Sequence, residues 1–342
     1  MVVVMQKGAA PEQRERVLNE IKALGFTPHV SDGESRSLIG AIGPAPTEEV
    51  REHLRALPGV ETVVRITKPY KLASREFRHD DSTVAIGTGA QAVRTGQGRF
   101  VVAAGPCGVE SREQLRDAAA IARRHGAQVL RGGAYKPRTS PYSFQGLGQE
   151  GLELLAEARA ATGMPIVTEV TAPELVETVA ATADMLQIGA RNTQNFALLA
   201  EAGKSGKPVL FKRGLSTSIS EFLQAAEYVL SQGNANVVLC ERGIRTFETS
   251  TRFTLDIAAV PVLKELTHLP VWVDPSHAAG RRPLVPALAL AAAAAGADGI
   301  IVEVHAKPED AKSDAAQQLD DGEFAALMGQ LRGVVTAVGK AF

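Results

Sequence analysis

FVVAAGPCGVESREQLRDAAAIARRHGAQVLR, residues 100–131, decides the fold. An apolar run, Phe100–Ala104, gives way to Gly-Pro and then to Cys107. Ser111 caps a helix running to His125, and a second apolar run, Val129–Leu130, ends on Arg131. Strand, helix, strand at this spacing is a βαβ unit. The chain continues the pattern through runs at Pro165–Thr168, Met185–Ile188, Pro208–Phe211, Val237–Leu239, Val271–Val273 and Gly299–Val302. Just after these six come Glu169, Arg191, Lys212, Glu241 with Arg242, Asp274 with His277, and Glu303 with His305. Helix-like stretches lie near 151–161, 173–181, 195–205, 218–231, 255–266, 284–295 and 322–338. Eight strand–helix periods, each ending on a reactive side chain, predict a closed (β/α)8 TIM barrel whose strand C-termini build one site. An open doubly wound sheet would bind at one switch point, and no Gly-x-Gly-x-x-Gly opens a helix here.

Residues 1–67 have another rhythm. Val2–Met5 is strand-like, Pro11–Leu24 has helical spacing ended by Gly25, and Phe26–Val30 and Ser35–Ile42 flank an Asp32-Gly33 turn. Thr47 caps a second helix to Leu57, and Val60–Ile66 is a last strand. The βαββαβ order predicts a small ferredoxin-like α+β domain, a module that commonly senses a ligand or pairs edge to edge. Residues 68–80 lack periodicity and read as a linker, a short hairpin follows near Val84–Ile86, and 81–342 form the catalytic barrel.

The chain of 342 residues suits a barrel plus a small module, and 45% hydrophobic residues suffice for a buried core. A net charge of −1 gives no global preference for nucleic acid or an anionic membrane. Two cysteines make no disulfide framework; Cys240, inside an apolar run, reads as a small buried hydrophobe. The N-terminus lacks a signal-peptide pattern, and the Ala-rich stretch 284–297 is too short to span a bilayer. A soluble cytoplasmic protein is the expectation.

Two constellations carry chemistry. If the barrel closes, strands one, seven and eight are neighbours, and Cys107, His277, Glu303 and the loop residue Asp314 converge. Thiolate, imidazole and carboxylate together suit a divalent ion of borderline softness. The plainer alternative leaves Asp314 solvated and His277 an ordinary loop histidine. The second set is cationic: Arg131, Lys136, Arg138, Arg191, Lys212 and Arg242. Six cations at one mouth of a nearly neutral protein point to a multiply charged anion, held bidentately by Arg and as point charges by Lys. Structural ion pairs with Glu169, Glu241 and Asp274 are the competing reading. The long loop 130–148 adds Thr139 and Ser140 as hydroxyl donors beside Lys136 and Arg138, and loops of this length are usually functional.

GPCGVES (105–111), LRGGAYKPRTSPYSFQGLG (130–148), QIGARNTQNF (187–196), FKRG (211–214), CERGIRTFETSTRFTLDI (240–257), DPSHAAGRR (274–282) and VEVHAKPEDAKSDAAQQL (302–319) together resemble the 3-deoxy-D-arabino-heptulosonate 7-phosphate (DAHP) synthases. The likeness spans about 80–340 and follows the shorter, type I-beta branch, some of whose members carry an N-terminal ferredoxin-like regulatory domain. The resemblance implies a divalent metal on Cys107, His277, Glu303 and Asp314, with manganese favoured and iron, cobalt, zinc or cadmium as alternatives. It implies phosphoenolpyruvate on Arg131, Lys136, Arg191, Lys212 and Arg242 beside Glu169 and Asp274, and erythrose 4-phosphate on Lys136, Arg138, Thr139 and Ser140. Lys136 is placed to protonate the aldehyde oxygen. His29 and Ser31 match a stretch that contributes to tyrosine binding in regulated relatives, which implies an aromatic amino acid effector. A homotetramer is also implied.

Metal-independent 3-deoxy-octulosonate 8-phosphate synthases have Asn where this chain has Cys107, and an amide is a poor ligand for such a metal. They also read KANRSS where this chain reads KPRTS, which favours the four-carbon sugar phosphate. The alternatives are that octulosonate synthase activity and a catalytically dead, amino-acid-sensing barrel.

Overall fold

The structure, a computed structural model, describes residues 1–32, 37–65, 68–89, 92–137 and 140–342. It divides into two compact units: Met1–Asp81 with Leu266–His268, and Ser82–Glu265 with Leu269–Phe342.

In the first unit, β1 (Val2–Met5), α1 (Pro11–Ala23), β2 (Thr27–Asp32), β3 (Ser37–Ile42), α2 (Glu48–Arg55) and β4 (Val60–Val64) follow the predicted order. The sheet runs β2-β3-β1-β4, antiparallel throughout, as a ferredoxin-like fold requires. Val17 and Ile21 of α1 and Leu54 of α2 join Val3, Met5 and Ile39 in one core, the spacing that an amphipathic helix on a sheet needs. Thr47 caps α2 by accepting from the Val50 amide at 3.3 Å. The predicted Asp32-Gly33 turn and the Ile66 strand end fall at or beyond the edge of the described residues. The linker expectation is corrected: Tyr70, Leu72, Ala73 and Phe77 are buried, so 68–81 pack as part of this unit.

The second unit opens with an antiparallel hairpin, β5 (Val84–Ile86) with β6 (Val93–Thr95). Eight strands then close a parallel barrel: β7 (Val101–Gly105), β8 (Val129–Arg131), β9 (Ile166–Glu169), β10 (Met185–Ile188), β11 (Val209–Lys212), β12 (Val237–Glu241), β13 (Val271–Val273) and β14 (Gly299–Glu303). Between and after them lie α3 (Arg112–Arg124), α4 (Gln149–Thr162), α5 (Val176–Thr182), α6 (Phe196–Lys204), α7 (Ile219–Leu230), α8 (Ala259–Leu266), α9 (Pro275–Ala279), α10 (Val285–Ala294) and α11 (Asp321–Ala337). β14 pairs with β7 along Gly299–Glu303 and with β13 on its other side, which makes strands one, seven and eight neighbours.

Several boundaries differ from expectation by a few residues. The helix expected over 255–266 starts at Ala259, and the Asp256 side chain before it bonds Arg213 at 2.8 Å. The short α9 was read as loop.

The barrel interior is filled by Val101, Ala103, Val129, Val167, Met185, Leu210, Val238, Cys240, Trp272 and Ile301, with Val84 and Ile86 of the hairpin packed into the same cluster. Thr95 of β6 accepts from Trp272 Nε1 at 2.8 Å and donates to the carbonyl of Asp298, just before β14. The hairpin thus seals the N-terminal end of the barrel. Among the described residues, no helix is long and apolar enough to cross a membrane.

Candidate active site

The C-terminal ends of the strands carry a dense set of ionisable groups. Cys107 follows β7, Glu303 ends β14, and α9 presents His277. Asp274 is the N-cap of α9, accepting from the His277 amide at 2.9 Å, with Pro275 in the first turn and Gly280 at the left-handed C-terminus. Asp314 lies in the loop after β14, in the left-handed region (φ 50°), which Asp tolerates better than most residues.

One ligand atom from each of Cys107, His277, Glu303 and Asp314 lies within 4.8 Å of the other three. The closest approaches are Cys107 Sγ to Asp314 Oδ2 at 3.3 Å, and His277 Nε2 to Glu303 Oε1 at 3.5 Å and to Asp314 Oδ2 at 3.7 Å. Metal–ligand bonds are roughly 2.0–2.3 Å, so the four atoms are grouped on about the scale of one ion's coordination shell. Asp274 Oδ2 lies 2.7 Å from His277 Nδ1, a carboxylate beside the imidazole on the side away from Glu303 and Asp314, as in carboxylate–histidine metal centres. Soft sulfur, imidazole and two carboxylates therefore fit a divalent ion of borderline softness. Burial and the nearby Glu303 push the Cys107 thiol up to about 12, so a cation at the cluster is what would favour its thiolate. Burial opposes the charge of Asp314, but His277, Arg252 and Lys136 outweigh it and hold the carboxyl down at about 2.

Beside this cluster a cavity of about 230 Å³ is lined by Arg131, Lys136, Arg191, Lys212, Arg242 and Arg252, with Glu169, Gln187, Ser140 and Ser143. Arg131 bonds Glu303 at 2.7 Å, and Lys212 bonds Asp274, both pairs buried. Lys136 Nζ donates to the carbonyl and sulfur of Cys107 at 3.0 and 3.1 Å. Burial works against the Lys136 charge, yet Cys107, Glu169 and Glu303 keep its ammonium favoured. Arg242 differs. It is buried, its guanidinium sits 4.4 Å from the Phe253 ring, and burial lowers its affinity for the proton. Arg242 Nη1 and Arg131 Nε have no partner among the described residues. Buried donors left open in a cationic cavity suit an anion.

Every predicted site residue of the barrel whose placement is described falls at this mouth, with Arg191 and Ser140 on its exposed rim. Arg138 and Thr139 lie outside the described residues. In the first unit, His29 is half-buried on β2, where burial disfavours its charged form, and the Ser31 side chain lies outside the described set. Of the suspected structural partners, Asp274 does pair with Lys212, but Glu241 pairs with Arg213 at 2.9 Å.

Four residues escaped the sequence reading. Gln187 donates to Glu169 at 3.2 Å, and Gln317 donates to Glu303 at 2.7 Å. Arg213 bridges Glu241 and Asp256. Arg252 donates to Asp314 at 3.2 Å. Gln187 was the findable one, a lone amide inside a buried apolar run. Glu169 has room because the residue just after the next strand is Gly189, where a Cβ would stand 2.0 Å from Glu169 Oε1.

A barrel with a three-strand divalent-metal cluster beside a buried cationic cavity defines a metal-dependent enzyme acting on anionic substrates. Residues 83–338 match the DAHP synthetase I family, and residues 1–68 match the DAHP synthase ferredoxin-like domain. The chain belongs to the DAHP synthetase I family, whose members are metal-dependent transferases.

A phospho-2-dehydro-3-deoxyheptonate aldolase of Thermotoga maritima is 50% identical over 339 residues, covering 99% of each chain. The crystal structure of that enzyme, a DAHP synthase, superposes with a TM-score of 0.78 at 49% identity, covering 99% of this chain and 98% of the other. A 2-dehydro-3-deoxyphosphooctonate aldolase of Bradyrhizobium diazoefficiens is 32% identical over 248 residues, 67% of this chain and 87% of its own.

Proposed function

We propose that the barrel condenses phosphoenolpyruvate, D-erythrose 4-phosphate and water to 3-deoxy-D-arabino-heptulosonate 7-phosphate and phosphate, the first step of the shikimate pathway to aromatic amino acids. The observation that carries this reading is the four-ligand cluster set against a cavity whose buried guanidinium groups keep open donors. Manganese is the favoured ion, with iron, cobalt, zinc or cadmium as alternatives. When bound, such an ion supplies Lewis-acid polarisation of a carbonyl oxygen.

The chain's own groups do the rest. Arg131, Arg191, Lys212 and Arg242 hold the phosphate and carboxylate of phosphoenolpyruvate and aim its carbon 3 at the aldehyde. As carbon 3 attacks, carbon 2 becomes cationic and takes up water; the hemiketal phosphate then expels phosphate by C–O cleavage. Lys136, held as an ammonium, donates a proton to the aldehyde oxygen as it becomes a hydroxyl. Arg138, Thr139 and Ser140 hold the sugar phosphate. Glu169, its carboxylate bonded by Gln187, faces the cavity with a charge that steadies the developing cation.

The ferredoxin-like unit is proposed to bind tyrosine or phenylalanine near His29 and Ser31 and to inhibit the barrel. A homotetramer in the cytoplasm completes the proposal, supported by exposed apolar surface such as the stacked Phe196–Tyr228 pair. The deciding experiment measures phosphate release with each substrate alone and both together, with and without a chelator. Release that needs both substrates and stops with the chelator is expected; a preference for arabinose 5-phosphate would move the chain to the octulosonate synthases. Titrating tyrosine and phenylalanine into the assay, with and without residues 1–81, tests regulation, and no inhibition by either would defeat it.

A further inference from the structure

Arg252 bonds the four-ligand cluster directly at Asp314, reaches Glu303 through Gln317, and lies by its backbone against the end of the His277 helix. Its Nη1 donates to Asp314 Oδ1 at 3.2 Å, while the other oxygen of that carboxylate faces Cys107 and His277. The same Nη1 donates to Gln317 Oε1 at 3.0 Å, and Gln317 Nε2 donates onward to Glu303 Oε2 at 2.7 Å. The Arg252 and Phe253 amides donate to the Ala279 and Ala278 carbonyls at 3.2 and 3.0 Å, at the end of the short helix that presents His277. That helix ends at Gly280 in the left-handed region (φ 64°), where a Cβ would stand 2.4 Å from the Arg252 Cβ. Two of the four ligands are therefore referenced to the Arg252 side chain, and the helix that presents a third is bonded by the backbone beside it. Arg252 comes from the loop after β12, and no ligand belongs to that loop.

We propose that the Arg252 side chain is a positioning group that presets Asp314 and, through Gln317, Glu303 for the ion. This rests on the reading that the cluster holds a divalent metal. Two physical effects of Arg252 have opposite sign. As a nearby positive charge it opposes a bound cation, so its removal should tighten binding. As the group that fixes two ligands it favours binding, and loss of such outer partners typically weakens metal affinity by roughly 10–100-fold. The sign of the change therefore separates a positioning role from a merely electrostatic one.

The test titrates Mn²⁺ calorimetrically into the chelator-treated full-length protein, comparing wild type with Arg252→Gln and Arg252→Lys. The Arg252 side chain is 36% exposed, and the metal-free Tm is expected to be unchanged in both variants. Arg252→Gln should raise the Mn²⁺ Kd about 10–100-fold. Arg252→Lys, which keeps the charge on a shorter arm, should recover part of that loss. A Kd for Arg252→Gln that is tighter than wild type or within twofold of it overturns the proposal, as does Arg252→Lys binding no better than Arg252→Gln. Wild-type protein that takes up no Mn²⁺ would instead overturn the metal reading itself.

Discussion

The two ends of the barrel are built on opposite principles. At the N-terminal end, Trp272, Val101, Val129 and the hairpin residues Val84 and Ile86 are all but fully buried, and the indole nitrogen is satisfied by Thr95. At the C-terminal end, Arg131, Lys136, Lys212, Arg242, Asp274 and Glu303 are buried, and Arg131 Nε and Arg242 Nη1 are among the buried polar atoms without a partner among the described residues. One end lowers the free energy of the fold; the other spends part of it to hold charges apart and ready. The same strands supply both, since each begins apolar and ends polar.

That contrast can be broken from either end. Cys107→Ala should cost most: turnover falls by about 10³-fold or more, the equivalent of roughly 4 kcal/mol of barrier, while the metal-free protein unfolds much as before. Phosphate release and Mn²⁺ calorimetry read this directly, and normal turnover in a chelated variant would remove the metal from the mechanism.

Trp272→Ala is the mirror image. It should lower unfolding stability by about 3–5 kcal/mol and leave the KM values of the folded fraction unchanged. Because Trp272 is the chain's 1 tryptophan, denaturation must be followed by far-ultraviolet circular dichroism.

Arg242→Met sharpens the comparison, because its two effects point in opposite directions. Losing an open donor from the cavity should lower kcat/KM by about 10²–10³-fold. Removing a buried cation without a carboxylate bond should raise stability by about 0.5–2 kcal/mol, visible as a higher Tm. A lower Tm would mean that the charge is structural.

Ser111→Ala sits at the bottom of the scale. Its hydroxyl caps α3 by accepting from Gln114 at 3.1 Å. Its loss should cost about 1 kcal/mol in chemical denaturation with kcat/KM unaltered.

Most of the fold was legible because it is written in repeats. A strand short enough to be ambiguous alone, such as Val129–Leu130, becomes plain as the second of eight. The cap at Ser111 and the helix end at His125 fall where the residues alone placed them. The four-ligand cluster was legible for the same reason, once barrel closure made strands one, seven and eight neighbours.

What stayed hidden was what periodicity does not mark. The five residues of α9 are too few for a hydrophobic stripe, although Asp274, Pro275 and Gly280 carry its start and stop signals. Gln317 closes a single 3-10 turn and Arg252 sits in a loop 62 residues from the carboxylate it bonds, and nothing local announces such pairing. Residues 68–81 misled because their charges masked four buried side chains spaced without a period.

The β5–β6 hairpin has one consequence for traffic. It covers the far end of a barrel whose interior is already filled, so among the described residues the cavity lined by Arg131 and Lys212 opens at the rim. Arg131 and Lys212 lie buried within that cavity, while Arg191 and Ser140 stand exposed at its rim.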